Sequence, residues 1–304
     1  MTTTRRAVLL LTLVAGCSRG PSPTDTYVSY RQAFERAKAV EEVMPFMDKA
    51  TRARVEGSPA EERKGGFELI KAMSEVVDVK VVKETITGET AVVEATGVDV
   101  SQGSDARATV QLVKEDGAWK IKNEKWKGDP AARQVSRSCS ELVSDLKSTS
   151  VAARARAAAK LRQPGCAEAI PELVARLSDP SVAIRANASA GLRMNMRSGN
   201  PKDHVALLPA IVAAKTAAAA QQDTIMQINL QHALSAIGAP AIPHLVADLK
   251  SPSRDLRWGA AAGLGMMGAE GRDALPAIEA AAREEKDQTV GERLAEAIKE
   301  VKGS

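Results

Sequence analysis

A four-residue apolar phrase with proline at its second position recurs along the C-terminal half of the chain. Proline fits only the first turn of a helix, so each copy predicts a helix start. The successive prolines are 38, 34 and 33 residues apart. A nearly constant period in the thirties is typical of helical repeat arrays. The copies are Ile170-Pro171-Glu172-Leu173, Leu208-Pro209-Ala210-Ile211, Ile242-Pro243-His244-Leu245 and Leu275-Pro276-Ala277-Ile278.

In residues 25–128 the apolar positions first follow a helical period and then alternate. Three helices are predicted, with stripes at Tyr27, Tyr30, Phe34 and Ala37, at Val43, Phe46 and Met47, and at Phe67, Ile70, Met73 and Val76. Four strands are predicted, at residues 77–87, 91–95, 106–114 and 118–122, the last two joined by the tight turn Asp116-Gly117. Helices followed by an antiparallel meander predict an α+β domain with its sheet curled over the helices.

This order, and the closing phrase Asp116-Gly117-Ala118-Trp119-Lys120-Ile121, resembles the NTF2-like (SnoaL-like, cystatin-like) cone domains. The resemblance implies a small cone that could bind or transform a small apolar ligand, as in the isomerases and hydrolases of that superfamily. Catalytic members place an acid or base inside the cone, yet this segment has no histidine. Tyr27 and Tyr30 lie on the helical stripe and are expected in the core, whereas Asp78 and Glu94 are expected in solvent. We therefore expect no enzyme here, with a SnoaL-like activity as the alternative.

Beyond a linker at residues 129–136, the second helix of each unit repeats one pattern. Residues 146–154, 177–185 and 249–257 align from a leucine to an arginine, and small residues and a leucine follow. This pattern resembles the HEAT repeat, close to the short form seen in phycobilin lyases. It implies an all-α solenoid of about five helix pairs over residues 137–302. A tetrapyrrole lyase is a weaker alternative, because no acid or base cluster accompanies the pattern.

The recurring charged residues of the units have two interpretations. They could form a basic stripe for an acidic partner, or they could tie neighbouring repeats together. We favour the structural role, since the residues recur once per repeat as a packing device would. The ladder comprises Arg154, Asp179, Arg185, Arg257, Asp287 and Arg293.

Cys139 and Cys166 fall at the two ends of the first predicted helix pair that an antiparallel arrangement brings together. Because the N-terminus indicates export to an oxidising compartment, we predict a disulfide between them. The alternative is two free or buried thiols.

The N-terminal sequence has the features of an export signal. Arg5 and Arg6 precede an apolar run too short to cross a bilayer, which is typical of a signal peptide over residues 1–16. Its end, Leu13-Val14-Ala15-Gly16-Cys17, resembles the lipobox of bacterial lipoproteins, which implies lipidation of Cys17 and a tether at residues 17–24. Serine after the cysteine implies the outer membrane, facing the periplasm. The alternatives are an ordinary secretory signal or an uncleaved anchor, with Cys17 incidental. Thr4-Arg5-Arg6-Ala7-Val8-Leu9 also resembles a twin-arginine motif, so the export route stays open.

The formal net charge is +4, and two of the positive charges lie in the predicted signal peptide. We therefore expect no nucleic-acid partner. His204, His232 and His244 have no ligand-spaced neighbours, so no metal or other cofactor is expected. Seven of the eight aromatic residues lie between Tyr27 and Trp126, and only Trp258 follows. The sequence thus predicts a membrane-anchored, non-catalytic scaffold that binds a protein through its repeats.

Overall fold

The computed structural model describes residues 20–73, 75–129, 136–198 and 200–303. The predicted signal peptide, Cys17, and residues 130–135 of the predicted linker lie outside the described residues. Three α-helices come first: α1 (Pro23–Arg36), α2 (Lys49–Glu56) and α3 (Ala60–Met73). The predicted second helix is instead two short 3₁₀ turns, Val40–Glu42 and Met44–Phe46, and α2 was not predicted.

Four strands follow as a meander in the order β1-β2-β3-β4. They are β1 (Val76–Thr87), β2 (Thr90–Asp99), β3 (Ser104–Glu115) and β4 (Ala118–Gly128). The four predicted strands are therefore present, although each is longer at one end or both than its predicted range. Along β3 the side chains alternate between buried and exposed, so one face of this strand is buried.

The prediction of an NTF2-like cone is wrong. The sheet stays open, with β1 and β4 as edges, and residues 82–87 of β1 are all exposed. The predicted stripe of the third helix also fails, because Ile70 is exposed and Val76 belongs to β1. A cone requires a sheet wrapped around helices that pack into it. In α3, Phe67 is buried, but Leu69 and Ile70 are exposed. The tight turn Asp116-Gly117 occurs in any meander, so it could not specify a cone.

The repeat region comprises five helix pairs. In each pair a first helix is followed by a turn and a second helix, which packs beside the second helix of the neighbouring pair. The pairs are α4 (Cys139–Leu146) with α5 (Val151–Lys160), α6 (Ile170–Arg176) with α7 (Val182–Asn195), α8 (Pro201–His204) and α9 (Leu208–Ala220) with α10 (Thr224–Ser235), α11 (Ile242–Asp248) with α12 (Arg254–Met266), and α13 (Leu275–Glu284) with α14 (Gln288–Lys302).

Local sequence explains these boundaries. Proline occupies the first turn of α6, α9, α11 and α13, as the recurring phrase predicts. Each second helix starts after a residue whose side chain accepts a hydrogen bond from a first-turn amide, which satisfies an otherwise unpaired donor. These N-caps are Ser150, Ser181, Asp223, Ser253 and Asp287.

Contacts divide the chain into two compact units. The first contains the described residues up to Lys64 with Val81–Ala95 and Ala108–Lys125. Tyr27, Tyr30 and Phe34 form its aromatic core, and the Tyr27 hydroxyl donates to Glu124 at 2.7 Å. The second unit contains Gly65–Lys80, Thr96–Arg107 and the repeats. The domain limits predicted from the sequence remain a prediction.

One described stretch, Lys202–Ala220, is long and apolar enough by length and composition to cross a membrane. It includes α9, and its Lys215 pairs with Asp248. This stretch is the first-helix segment of the third repeat.

Candidate functional site

The arginine at the fourth position of three second helices holds the turn that precedes its own helix. Each guanidinium donates to two backbone carbonyls five and six residues earlier, at distances of 2.8–3.2 Å. These residues are Arg154, Arg185 and Arg257. The turn of each of these repeats is thereby fixed relative to its second helix.

The same arginines reach the next repeat. Arg154 donates to Asp179 at 2.8 Å, Arg185 to Gln221 at 3.1 Å, and Arg257 to Glu285 at 2.7 Å. Each guanidinium therefore links two adjacent turns.

Of the remaining ladder residues, Asp179 and Asp287 also form ion pairs with the preceding repeat, whereas the ion pairs of Arg293 stay within its own helix. Asp287 caps α14 by accepting from the amide of Val290, and it pairs with Arg254 at 2.9 Å. Arg293, in the last repeat, pairs with Glu296 and Glu300 of its own helix. Asp179 accepts from the preceding repeat's Arg154, not from the side chain of Arg185, which donates to the backbone carbonyl of Asp179.

Two pKa shifts follow from this packing. The hydrogen bond from Arg257 lowers the pKa of Glu285 to about 2, so its carboxylate is charged at neutral pH. Burial lowers the pKa of His232 to about 4, and the charges of Arg193, Arg197 and Arg293 act in the same direction. His232 is therefore neutral at neutral pH. In α1, burial and Glu124 raise the pKa of Tyr27.

The cysteine pair stands at the start of the array. Cys139 and Cys166 form the predicted disulfide, with their Cα atoms 5.6 Å apart, a distance typical of such bonds. Among the described residues, these sulfurs and Glu168 form one cluster of potential metal-ligand atoms. Because the sulfurs are bonded to each other, they are not thiolate ligands.

The connection between β2 and β3, residues 100–103, packs on the second helices of the first two repeats. Gly103 has φ +60°, and a Cβ there would lie 2.6 Å from the Ala159 Cβ and 2.7 Å from the Ala155 carbonyl oxygen. Only glycine fits so close an approach. Val100 is fully buried in the same apolar core as the repeats.

Polar contacts secure this connection, here termed the β2–β3 turn. They come from α5 and α7 and bind the turn and the strand ends beside it. The contacts are Asn187 to the carbonyl of Ser101 at 3.0 Å, Ser181 to Glu75 at 2.6 Å, and Arg156 to Asp105. The chain itself therefore covers part of the second-helix surface.

The contacts of the β2–β3 turn described above are with the second helices of the first two repeats, α5 and α7. Six large apolar side chains in the described part of the repeats are exposed. Five belong to second helices, two of them to α7 in the second repeat and three to α10 and α12 in the third and fourth. Ile225 is 73 % exposed, and Trp258 and Met266 are each 37 % exposed. The five are Val182, Met194, Ile225, Trp258 and Met266.

A groove lies between α12 and α14. Its volume is about 490 Å³, and it is bordered by Trp258 on one helix and by Glu292, Arg293, Glu296 and Lys299 on the other. Two further grooves, of about 670 and 600 Å³, involve the first helices. The first is lined mainly by charged side chains, among them Arg257, Glu284 and Glu285, and alanine is the commonest residue lining the second. The groove at Trp258 differs from them in combining an aromatic ring with carboxylates.

The sequence predicted the ladder and the cysteine pair but missed this surface. Its available signal was Trp258, the one aromatic residue after Trp126. A lone tryptophan on a helix otherwise rich in alanine and glycine indicated a special position. The predicted lipidation site, Cys17, lies outside the described residues.

No protein-family model matches the chain. No curated protein matches it either. Among solved structures, the chain is similar to a designed armadillo repeat protein at 19% identity and TM-score 0.38, covering 54% of this chain and 82% of that one. It is also similar to an engineered protein at 21% identity and TM-score 0.39, covering 54% and 79%. Likeness at this level carries no argument about function, and the helical repeat architecture rests on the five helix pairs themselves.

Proposed function

We propose that the protein is a non-catalytic scaffold that binds a protein partner through the second helices of its later, HEAT-like repeats. The observation that carries the proposal is the placement of exposed apolar side chains. Of the six in the described repeats, Ile225, Trp258 and Met266 are on the second helices of the third and fourth repeats, and Val182 and Met194 are on that of the second. The helices that carry the first three, α10 and α12, pack beside each other, and exposed apolar side chains on one surface are typical of interaction sites.

The β2–β3 turn supports the choice of surface. In the first two repeats, the second helices already bind a polypeptide segment through close backbone contact and side-chain hydrogen bonds. The corresponding helices of later repeats have the same placement in the array. They offer a similar surface to a segment of another protein.

The proposal includes attachment to the cell envelope. The lipobox-like sequence ending at Cys17 supports export and lipidation, because small residues before a cysteine allow a signal peptidase to cut there. Lipidation would hold the repeats near the outer membrane, facing the periplasm. A non-catalytic role is supported by Tyr27 and Tyr30, which serve as core residues.

Position-specific photocrosslinking in cells tests the scaffold role. A photoreactive residue replacing Ile225 or Met266 is expected to capture a protein, whereas one replacing Ala213 or Ala217 on α9 is not. All four positions are exposed or at the surface of the repeats. Equal capture from both sets, or capture that depends only on residues 25–128, would contradict the proposal. A Cys17→Ser chain is the anchoring control and is expected to leave the membrane fraction.

A further inference from the structure

The sheet has two edge strands, and the described residues cover only one of them. At β4, Met47 forms a parallel bridge with Ile121, and the amide of Asp48 donates to the carbonyl of Ile121 at 3.0 Å. At β1, no backbone hydrogen bond from outside the sheet reaches residues 80–86 in the part of the chain that the structure describes. Unpaired amide and carbonyl groups along an edge strand are a template for pairing with another strand.

The turn into β2 determines which residues of β1 present these groups to the edge. The hairpin turns through residues 88–89, so Thr87 and Thr90 are the pair whose backbone groups face each other. The ion pair of Lys83 with Glu94, at 3.4 Å, agrees with this register. The direction of the backbone groups alternates along an antiparallel pair. The outward-facing residues of β1 are therefore Lys80, Val82, Glu84 and Ile86.

Two of the outward-facing residues leave apolar side-chain area uncovered. Counted from the turn, Val82 lies opposite Ala95 of β2, and both positions share one face of the sheet. Ile86 lies opposite Ala91 on the same face. Both alanines are buried, so this is the core side of the sheet, yet Val82 is 53 % and Ile86 52 % exposed. A further strand beside β1 would cover these side chains.

Charge selects one register in which a second copy of β1 can be that strand. Outward-facing residues must oppose one another, so the two-fold axis of an antiparallel pair passes through a residue. With the axis at Val82, Lys80 of each copy lies opposite Glu84 of the other, which gives two pairs of opposite charge. An axis at residue 80, 81, 83 or 84 places like charges opposite each other, which is destabilising. Those four registers oppose, in turn, two copies of Lys80, Asp78 and Glu84, two copies of Lys83, and two copies of Glu84.

Both charges of the favoured register are available to a second copy. Lys80 is exposed and forms no ion pair with another residue that the structure describes. Glu84 is also exposed, and its Oε2 accepts from the amide of Thr24 at 2.8 Å. A neutral amide leaves the charge of the carboxylate in place, and Oε1 can accept from a lysine ammonium.

We propose that two copies of the chain pair through β1, antiparallel about Val82, so that their sheets join edge to edge. The outward-facing backbone groups bond their counterparts, the two Val82 side chains pack on each other, and Lys80 and Glu84 form two ion pairs across the axis. A single strand pair is a small interface, so its dissociation constant is expected to be about 10 μM. This self-association goes beyond the scaffold function and does not depend on it.

Sedimentation equilibrium of the mature chain from Ser18, over about 1 to 200 μM, tests the proposal. The native chain is expected to show a reversible monomer–dimer equilibrium. Lys80→Glu and Glu84→Lys each turn two attractions into two repulsions and are expected to weaken dimerisation by about tenfold or more. The double variant K80E/E84K restores opposite charges and is expected to dimerise within about threefold of the native chain. Because the double variant also lacks the contact of Glu84 with Thr24, its recovery cannot come from that contact.

The backbone part of the interface has its own variant. Val82→Pro removes an outward-facing amide, and proline is tolerated on the solvent side of an edge strand, so the circular dichroism spectrum is expected to stay unchanged while the dimer is lost. The matched control for charge is Lys122→Glu on β4, an exposed position with the same change in net charge. It is expected to leave dimerisation unchanged.

Four outcomes would overturn the proposal. They are a native chain that stays monomeric over the whole concentration range, equal weakening by Lys80→Glu and Lys122→Glu, a double variant that dimerises no better than either single variant, and a dimer that survives Val82→Pro. The last outcome would place the interface on another surface.

Discussion

Arg154→Ala is expected to lower the free energy of unfolding by about 3 kcal/mol, because it leaves a buried carboxylate without its main partner. The side chain of Asp179 is fully buried and accepts two hydrogen bonds from Arg154, at 2.8 and 3.3 Å. Arg176, at 3.4 Å, and the amide of Ser181 remain as partners in the variant, so the lower end of the usual range for broken buried pairs applies.

Arg185→Ala is the matched control for this effect. Arg185 has the same position in the next repeat and the same two carbonyl contacts, but its cross-repeat partner is the neutral, exposed Gln221. Arg185→Ala is expected to lower the free energy of unfolding by about 1 kcal/mol. Urea denaturation followed by circular dichroism measures both. Equal losses in the two variants would contradict the assignment of Arg154 and Asp179 as a charged tie between repeats.

Replacing both Cys139 and Cys166 by alanine is expected to lower the free energy of unfolding by about 3 to 4 kcal/mol, from the entropy of closing the loop in the unfolded chain. The bond joins residues 27 apart and holds the two ends of the first helix pair. Melting experiments on the chain from Ser18, with and without a reductant, measure the effect.

The reduced native chain is the control and is expected to match the double alanine variant. A native chain as unstable as the variant before reduction would contradict the stabilising role. Two free thiols, titrated under denaturing and non-reducing conditions, would show that the bond does not form in the purified protein.

The repeat half of the fold follows closely from its sequence because its determinants are local. Proline after an apolar residue starts a first helix, and serine or aspartate caps a second helix. The disulfide between Cys139 and Cys166 was also accessible, since an antiparallel helix pair fixes which ends meet.

The β2–β3 turn could not be predicted because its contacts are distant in sequence. Asn187 and Ser101 are 86 residues apart, and no local pattern pairs them. Gly103 looked like an ordinary turn glycine, whereas its lack of a side chain permits contact with Ala159. The prediction of a cone was wrong for a different reason. It relied on the local turn Asp116-Gly117, and a local turn does not determine the overall shape of a sheet.

Maleimide labelling of two engineered cysteines tests the central claim most directly: the second-helix surface is covered in the first repeat and open in the fourth. Ala155 and Trp258 occupy the same register position, but Ala155 is fully buried and Trp258 is 37 % exposed. In the oxidised chain from Ser18, Trp258→Cys is expected to react about 100-fold faster than Ala155→Cys, because Ala155 lies in the buried apolar core and a cysteine there reacts only when the surrounding structure opens. Equal rates in two folded variants would contradict the claim.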